Sequence, residues 1–335
     1  MLFMRSFLHT MLLVLTSGLT ATVAHAIPTF TVSFNDPAGA HSSFYDPIED
    51  NLIAAASDWG QHLPGSPNVA MQVNFTNEPT TSGSSVTSSF VRTVSGINVF
   101  EQGVAAKLGG ASTTVVPGPD AVVNIGTNYL RNELWFDPLP FDRGVAAVPF
   151  NKTDAYSSFL HEFGHIVAFN GWKDPMTGLL PGDFQSTFDE QTSFIGGRPF
   201  FVGSNAMEIY GGAVPLSMNA GPGHLGNPFP GPGSELINDA MTGIAFFRGY
   251  RYTLSPLDLA ILEDVGIALV QDGEMTVVPE PSTVLLLCSG LFLIIWRKKI
   301  GTDSRLKTRR QAGLISSSSL YSSNGHPGPK SQRIR

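Results

Sequence analysis

Alternation of apolar and polar residues marks two strands early in the chain. Phe30, Val32 and Phe34 alternate within 27–35, and Val69, Met71, Val73 and Phe75 alternate further on. A period of two turns one face of each strand toward a core. Between them, Asp46-Pro47-Ile48-Glu49 predicts a helix start, with an acid as cap and proline at the first position, and the helix runs to about Gln61. Thr80–Ser89 reads as a Ser/Thr/Gly loop, Val99–Leu108 as a short helix, and Ala121–Ile125 as a buried strand. Trp135-Phe136-Asp137 reads as a strand end with no assigned role. Phe159, Leu160, Phe163, Ile166 and Val167 form the apolar stripe of a further helix. Prolines and glycines exclude 221–233 from helix and central strand. Ser255-Pro256-Leu257-Asp258 opens a last helix, with Leu257, Ala260, Ile261 and Val265 as its apolar face and Gly266 as its stop. With no internal repeat, this order predicts one α+β domain over 27–270.

Both ends depart from that pattern. Arg5 precedes an apolar run from Met11 to Val23, followed by Ala24-His25-Ala26. These are the parts of a secretory signal peptide, here 1–26 with cleavage after Ala26. Ser17, Thr20 and Thr22 dilute the run, which is short for a hydrocarbon core of ~30 Å. At the other end, Val278-Pro279-Glu280-Pro281-Ser282 leads into an apolar segment, Thr283–Trp296, and then Arg297-Lys298-Lys299. As a helix, 283–296 would be roughly 21 Å long at 1.5 Å per residue, a span only if its flanks snorkel. The basic cluster orients it toward the cytoplasm.

This order closely resembles the PEP-CTERM sorting signal of exported Gram-negative proteins. The resemblance implies recognition of 278–299 by exosortase-type machinery, transient anchoring in the membrane through 283–296 before processing, and delivery to the cell surface. Residues 271–277 are then a linker. The family usually ends soon after the basic cluster, whereas here 300–335 follows, a Ser- and Arg-rich segment that reads as a disordered basic tail.

Composition sharpens the picture of the body. The chain is 42% hydrophobic and 14% charged, with 35 Gly and 24 Pro, which excludes a coiled coil and a wholly disordered chain. The single Cys288 lies in the apolar segment, so the mature domain has no disulfide framework. The net charge of −7 hides an asymmetry: residues 27–296 hold nine Lys or Arg against 26 Asp or Glu, a balance of −17. A body this acidic excludes a nucleic-acid partner, which needs a basic face.

The chemistry concentrates at His161-Glu162-Phe163-Gly164-His165. On a helix, positions i and i+4 share a face, so both imidazoles can reach one metal while Glu162 flanks it as general base for a metal-activated water. Zinc takes such nitrogens and needs a third protein ligand in a catalytic site. The compact metzincin pattern fails, because Ala168 and Gly171 stand where Gly and His would be required. Outside the leader and tail the histidines are His41, His62, His161, His165 and His224; His41 and His62 read as ordinary surface residues near the first helix. His224 lies in the glycine-rich loop and is followed by Asn238-Asp239-Ala240-Met241-Thr242-Gly243. Here the chain resembles the leishmanolysin-like zinc peptidases, in which the third histidine is displaced far downstream and a methionine turn lies below the metal. The resemblance implies a zincin-like fold with an active-site helix, a Zn2+ cofactor, His224 as third ligand and Met241 as the turn methionine. A carboxylate ligand of the thermolysin kind stays open, with Glu190 or Asp189 in that part, although Phe188-Asp189-Glu190-Gln191 lacks the N-E-x-x-D context. Tyr250 and Tyr252 either pack or reach a tetrahedral intermediate.

The expectation is an exported, surface-sorted zinc endopeptidase acting on a protein or peptide substrate, with His161, His165 and His224 on the metal and Glu162 as base. The rival from another class is a non-catalytic zinc-binding surface or extracellular-matrix protein. The sorting signal and the acidic, Gly/Pro-rich body suit it; an intact Glu162 does not.

Overall fold

The computed structural model describes residues 27–109, 117–142 and 146–270. The leader, the linker, the sorting segment with its apolar helix and the basic tail lie outside the described residues. In chain order the elements are β1 (Thr29–Asn35), α1 (Tyr45–Gly60), β2 (Asn68–Thr76), β3 (Thr81–Ser85), β4 (Ser88–Val94), β5 (Ile97–Gln102), α2 (Gly103–Leu108), β6 (Ala121–Gly126), α3 (Thr127–Asn132), β7 (Leu134–Trp135), β8 (Thr153–Asp154) and α4 (Ala155–Val167). There follow β9 (Phe184–Ser186), α5 (Thr187–Glu190), β10 (Thr192–Ile195), β11 (Arg198–Phe201), α6 (Ser204–Tyr210), β12 (Val214–Pro215) and α7 (Pro256–Asp264). The architecture is mixed helix and strand with several small sheets.

The largest sheet runs β1-β2-β6-β3. The first three strands are parallel and β3 closes the edge antiparallel to β6. In register, Phe34 pairs with Val73, Val73 with Val123, and Val123 with Gly83. The alternating residues Val69, Met71 and Val73 are buried, as their period requires. On this sheet sit α1 and α4, held together by Ile48, Leu52, Trp59, Phe159 and Phe163. Small residues at Ala55, Ala56 and Gly60 let the layers approach, and the buried Trp59 indole donates to the carbonyl of Leu160 at 2.8 Å. The smaller sheets β4-β5-β9 and β10-β11-β12 build the rest. Helix α7 has the predicted capping box between Ser255 and Asp258, with proline at its first turn.

Four expectations need correction. A 3-10 turn at Ser42–Phe44 starts α1 one residue before Asp46, so Phe44 and not Asp46 is its cap. Thr80–Ser89 is not a loop: it contains β3 and the start of β4. The segment Val99–Leu108 divides at Gly103 into a strand that ends at Gln102 and the helix α2. His41 is not on the surface; it is buried, with its ring centroid 4.3 Å from that of Phe75.

Candidate metal centre and cleft

Helix α4 carries the H-E-x-x-H motif and is buried along almost its whole length. Its start is fixed by charge. Asp154 caps it by accepting from Ser157, and the guanidinium of Arg251 grips the same carboxylate at 2.8 and 2.9 Å. Arg251 also pairs with Asp137 at 2.8 Å and lies over the ring of Tyr156. Both carboxylates are nearly or wholly buried, so this cation satisfies charges that burial would otherwise penalise.

One turn apart on α4, His161 and His165 point the same way, and the segment around His224 comes to meet them. The Nε2 of His165 is 3.1 Å from that of His161 and 3.0 Å from that of His224. The ligand atoms of the three all lie within 4.8 Å of one another, the one such group among the described residues. The Nδ1 of His161 faces the carbonyl of Ala240 at 2.7 Å, and that of His165 faces the carbonyl of Phe169 at 2.6 Å. A carbonyl only accepts, so both Nδ1 atoms carry the proton and both Nε2 lone pairs are bare. Burial holds the His161 imidazole well below its ordinary range and also lowers that of His165. Burial, with the neighbouring His165, pushes His224 down to about 3. The Nδ1 of His224 faces the carbonyls of Ala220 and Gly221 without meeting hydrogen-bond geometry.

Three imidazoles thus converge in an arrangement that suits a single cation. Tetrahedral zinc with nitrogens at ~2.05 Å sets them ~3.3 Å apart, close to the 3.1 and 3.0 Å that separate His165 from His161 and from His224. The donor set fits that ion. His161 and His165 also each have a backbone acceptor of the kind that orients metal-binding histidines.

The loop that brings His224 is ordered. The amide of Ser217 donates to the His224 carbonyl at 2.9 Å, and Leu225 is bound on both sides, its amide to Met241 and its carbonyl from Gly243. Close approaches make glycine necessary at two points. A β-carbon at Gly223 would stand 2.7 Å from the Phe169 carbonyl, and one at Gly243 would stand 2.8 Å from the β-carbon of His224. The turn at 239–243 thus holds two of the three histidines, His161 through Ala240 and His224 through Gly243. Met241 is fully buried beneath Gly164.

Glu162 is also buried. Burial raises its carboxyl to about 7, against the Thr81 hydroxyl and the nearby Gly83 backbone, which lower it. The Thr81 bond is 2.8 Å. A cleft of about 750 Å³ opens over the histidines and Glu162, walled by β3, by 169–172, by 220–223 and by 242–246. The amide of Gly126 donates to Thr80 and that of Val86 to Asp120, so the even positions of β3 face β6. Alternation then turns the amides and carbonyls of Thr81, Gly83 and Ser85 away from β6.

The carboxylate alternatives are occupied elsewhere. Asp189 is fully buried and accepts from the amides of Trp172, Lys173 and Ser186 and from the Ser186 hydroxyl. It anchors the loop that leaves α4. Glu190 pairs with Arg92. Tyr252 is buried, its hydroxyl accepting from the Phe247 amide and donating to the Ala245 carbonyl; it packs, and Tyr250 packs edge-on against it. The sequence reading missed Thr81, Gly83 and Tyr129, all of which line the cleft. Burial raises the Tyr129 phenol above its ordinary range, against the nearby Ser158 and Thr153 side chains.

Comparison with known proteins adds one match. The model of the PEP-CTERM protein-sorting motif matches residues 277–299. The chain carries an exosortase sorting signal. It is therefore an exported protein, sorted to the cell surface by exosortase-type machinery. Among the described residues no helix is long and apolar enough to cross a membrane. No curated protein and no solved structure matches the chain.

Proposed function

We propose that residues 27–270 form a zincin-like domain and that the sorted protein is a zinc-dependent endopeptidase. The observation that carries this reading is the convergence of the His161, His165 and His224 nitrogens beside a buried carboxylate. Zinc, when bound, lowers the pKa of a coordinated water and polarises the scissile carbonyl. Glu162, buried beside the cluster, is placed to take that water's proton and return it to the leaving amine. The outward amides and carbonyls of β3 offer an extended peptide a strand to pair with, so main-chain bonds would lay the substrate across the cleft.

The test is hydrolysis of labelled casein by the full-length, zinc-loaded protein. Turnover that a chelator abolishes and zinc restores supports the peptidase. A zinc-loaded protein inert toward casein and toward a broad peptide library returns the chain to the non-catalytic, zinc-binding surface protein.

A further inference from the structure

We infer that Thr81 is a positioning residue for Glu162, holding its carboxylate in the one orientation from which it can take a proton. The inference rests on the peptidase reading. Thr81 is 81 residues from Glu162 in sequence, yet its hydroxyl donates to Oε1 at 2.8 Å. Gly83, two residues on along the same strand, packs directly against Glu162. Nothing intervenes between strand and helix: a β-carbon at Gly83 would stand 2.6 Å from the Glu162 carbonyl oxygen and 2.8 Å from its β-carbon. The strand is itself held in register by the pairs Thr81 with Ile125 and Gly83 with Val123.

A free glutamate side chain samples several rotamers, and fixing it costs side-chain entropy. A donor on a rigid strand meets that cost in advance. Threonine suits the part, because its branched β-carbon stiffens the first torsion. An ionised carboxylate has about four acceptor positions. Thr81 takes one, which leaves the others for a water proton. The strand that presents free backbone to the cleft therefore also aims the base. A purely structural bond between strand and helix would affect melting and leave turnover per folded molecule intact.

The experiment compares full-length Thr81→Val and Thr81→Ser with the parent. The readouts are kcat and KM on labelled casein, zinc content, and crystal structures of all three. Misplacing a catalytic group by about 1 Å costs on the order of 100-fold, so Thr81→Val is expected to lose about 10- to 100-fold in kcat. Its KM and zinc content stay unchanged, and Thr81→Ser recovers most of the loss. In the Val crystal, the Glu162 carboxylate leaves its parent position or occupies more than one. Thr81→Val with parental kcat and an unmoved Glu162 overturns the inference. If the parent itself hydrolyses nothing, the peptidase reading falls, and the crystal comparison alone decides whether Thr81 fixes the carboxylate.

Discussion

Met241 lies so tightly under Gly164 that a β-carbon at 164 would stand 2.4 Å from its sulfur and 3.1 Å from the Trp59 ring. The variable position of the H-E-x-x-H motif nearest His165 is thus closed to any side chain. Gly164→Ala must shift the end of the fully buried Met241 side chain, which belongs to the 239–243 turn that carries Ala240. Overpacking of this kind costs about 1–3 kcal/mol. Denaturant unfolding of the full-length variant should show that loss, and its zinc affinity should fall with it. An unchanged midpoint would mean that the turn yields freely.

The third ligand can be assigned by subtraction. His224→Ala removes one of the three gathered nitrogens and should leave the purified protein with substoichiometric zinc by elemental analysis. Glu190→Gln, which only breaks the pair with Arg92, should retain full zinc. The reverse pattern would hand the third position to the carboxylate.

Arg251 holds the start of α4 through two buried acids. Arg251→Ala leaves Asp154 uncompensated in the core, and breaking a buried pair on one side costs about 3–5 kcal/mol. Urea unfolding should register a loss of that size. A change below about 1 kcal/mol, the ordinary worth of an exposed pair, would show that water reaches Asp154.

A second pair of acids makes stability depend on pH. Asp258 is fully buried, and burial together with the neighbouring Asp239 raises its carboxyl well above the ordinary value of 3.8. Its Oδ1 has no partner while ionised, whereas the protonated acid can donate to Asp239. The folded chain therefore binds this proton more tightly than the unfolded one. The stability it contributes is complete below about pH 4 and is lost as pH rises through the folded value. Asp258→Asn supplies a permanent donor, so the variant should gain on the parent as pH increases above about 4. Parallel stability curves across that range would refute the shared proton.

Legibility in the sequence followed the chemistry of each element. The strand at Val69–Phe75 could be read because it buries one apolar face, the helix at Phe159–Val167 because its apolar stripe keeps the helical period even though its polar residues are buried too, and α7 because its cap is made of side chains. Strand β3 could not be read. Its sequence, Thr-Ser-Gly-Ser-Ser, has no apolar alternation, since its contact with α4 is made by backbone and a hydroxyl. The cap of α1 was misread because a 3-10 turn precedes it, and His41 because Phe75 covers it from a distant strand. In the site, His161, Glu162 and His165 carry a spacing signal. His224 came by resemblance. Ala240, Phe169 and Gly83 contribute only main-chain atoms, which any residue possesses, so no sequence pattern marks them.

The most direct measurement is casein hydrolysis by full-length Glu162→Gln beside the parent, with zinc counted in both. Glutamine keeps the shape of the side chain and removes its basicity. The account predicts equal zinc and a loss of turnover of about 100-fold or more, the worth of a general base. Equal zinc with parental turnover would contradict it.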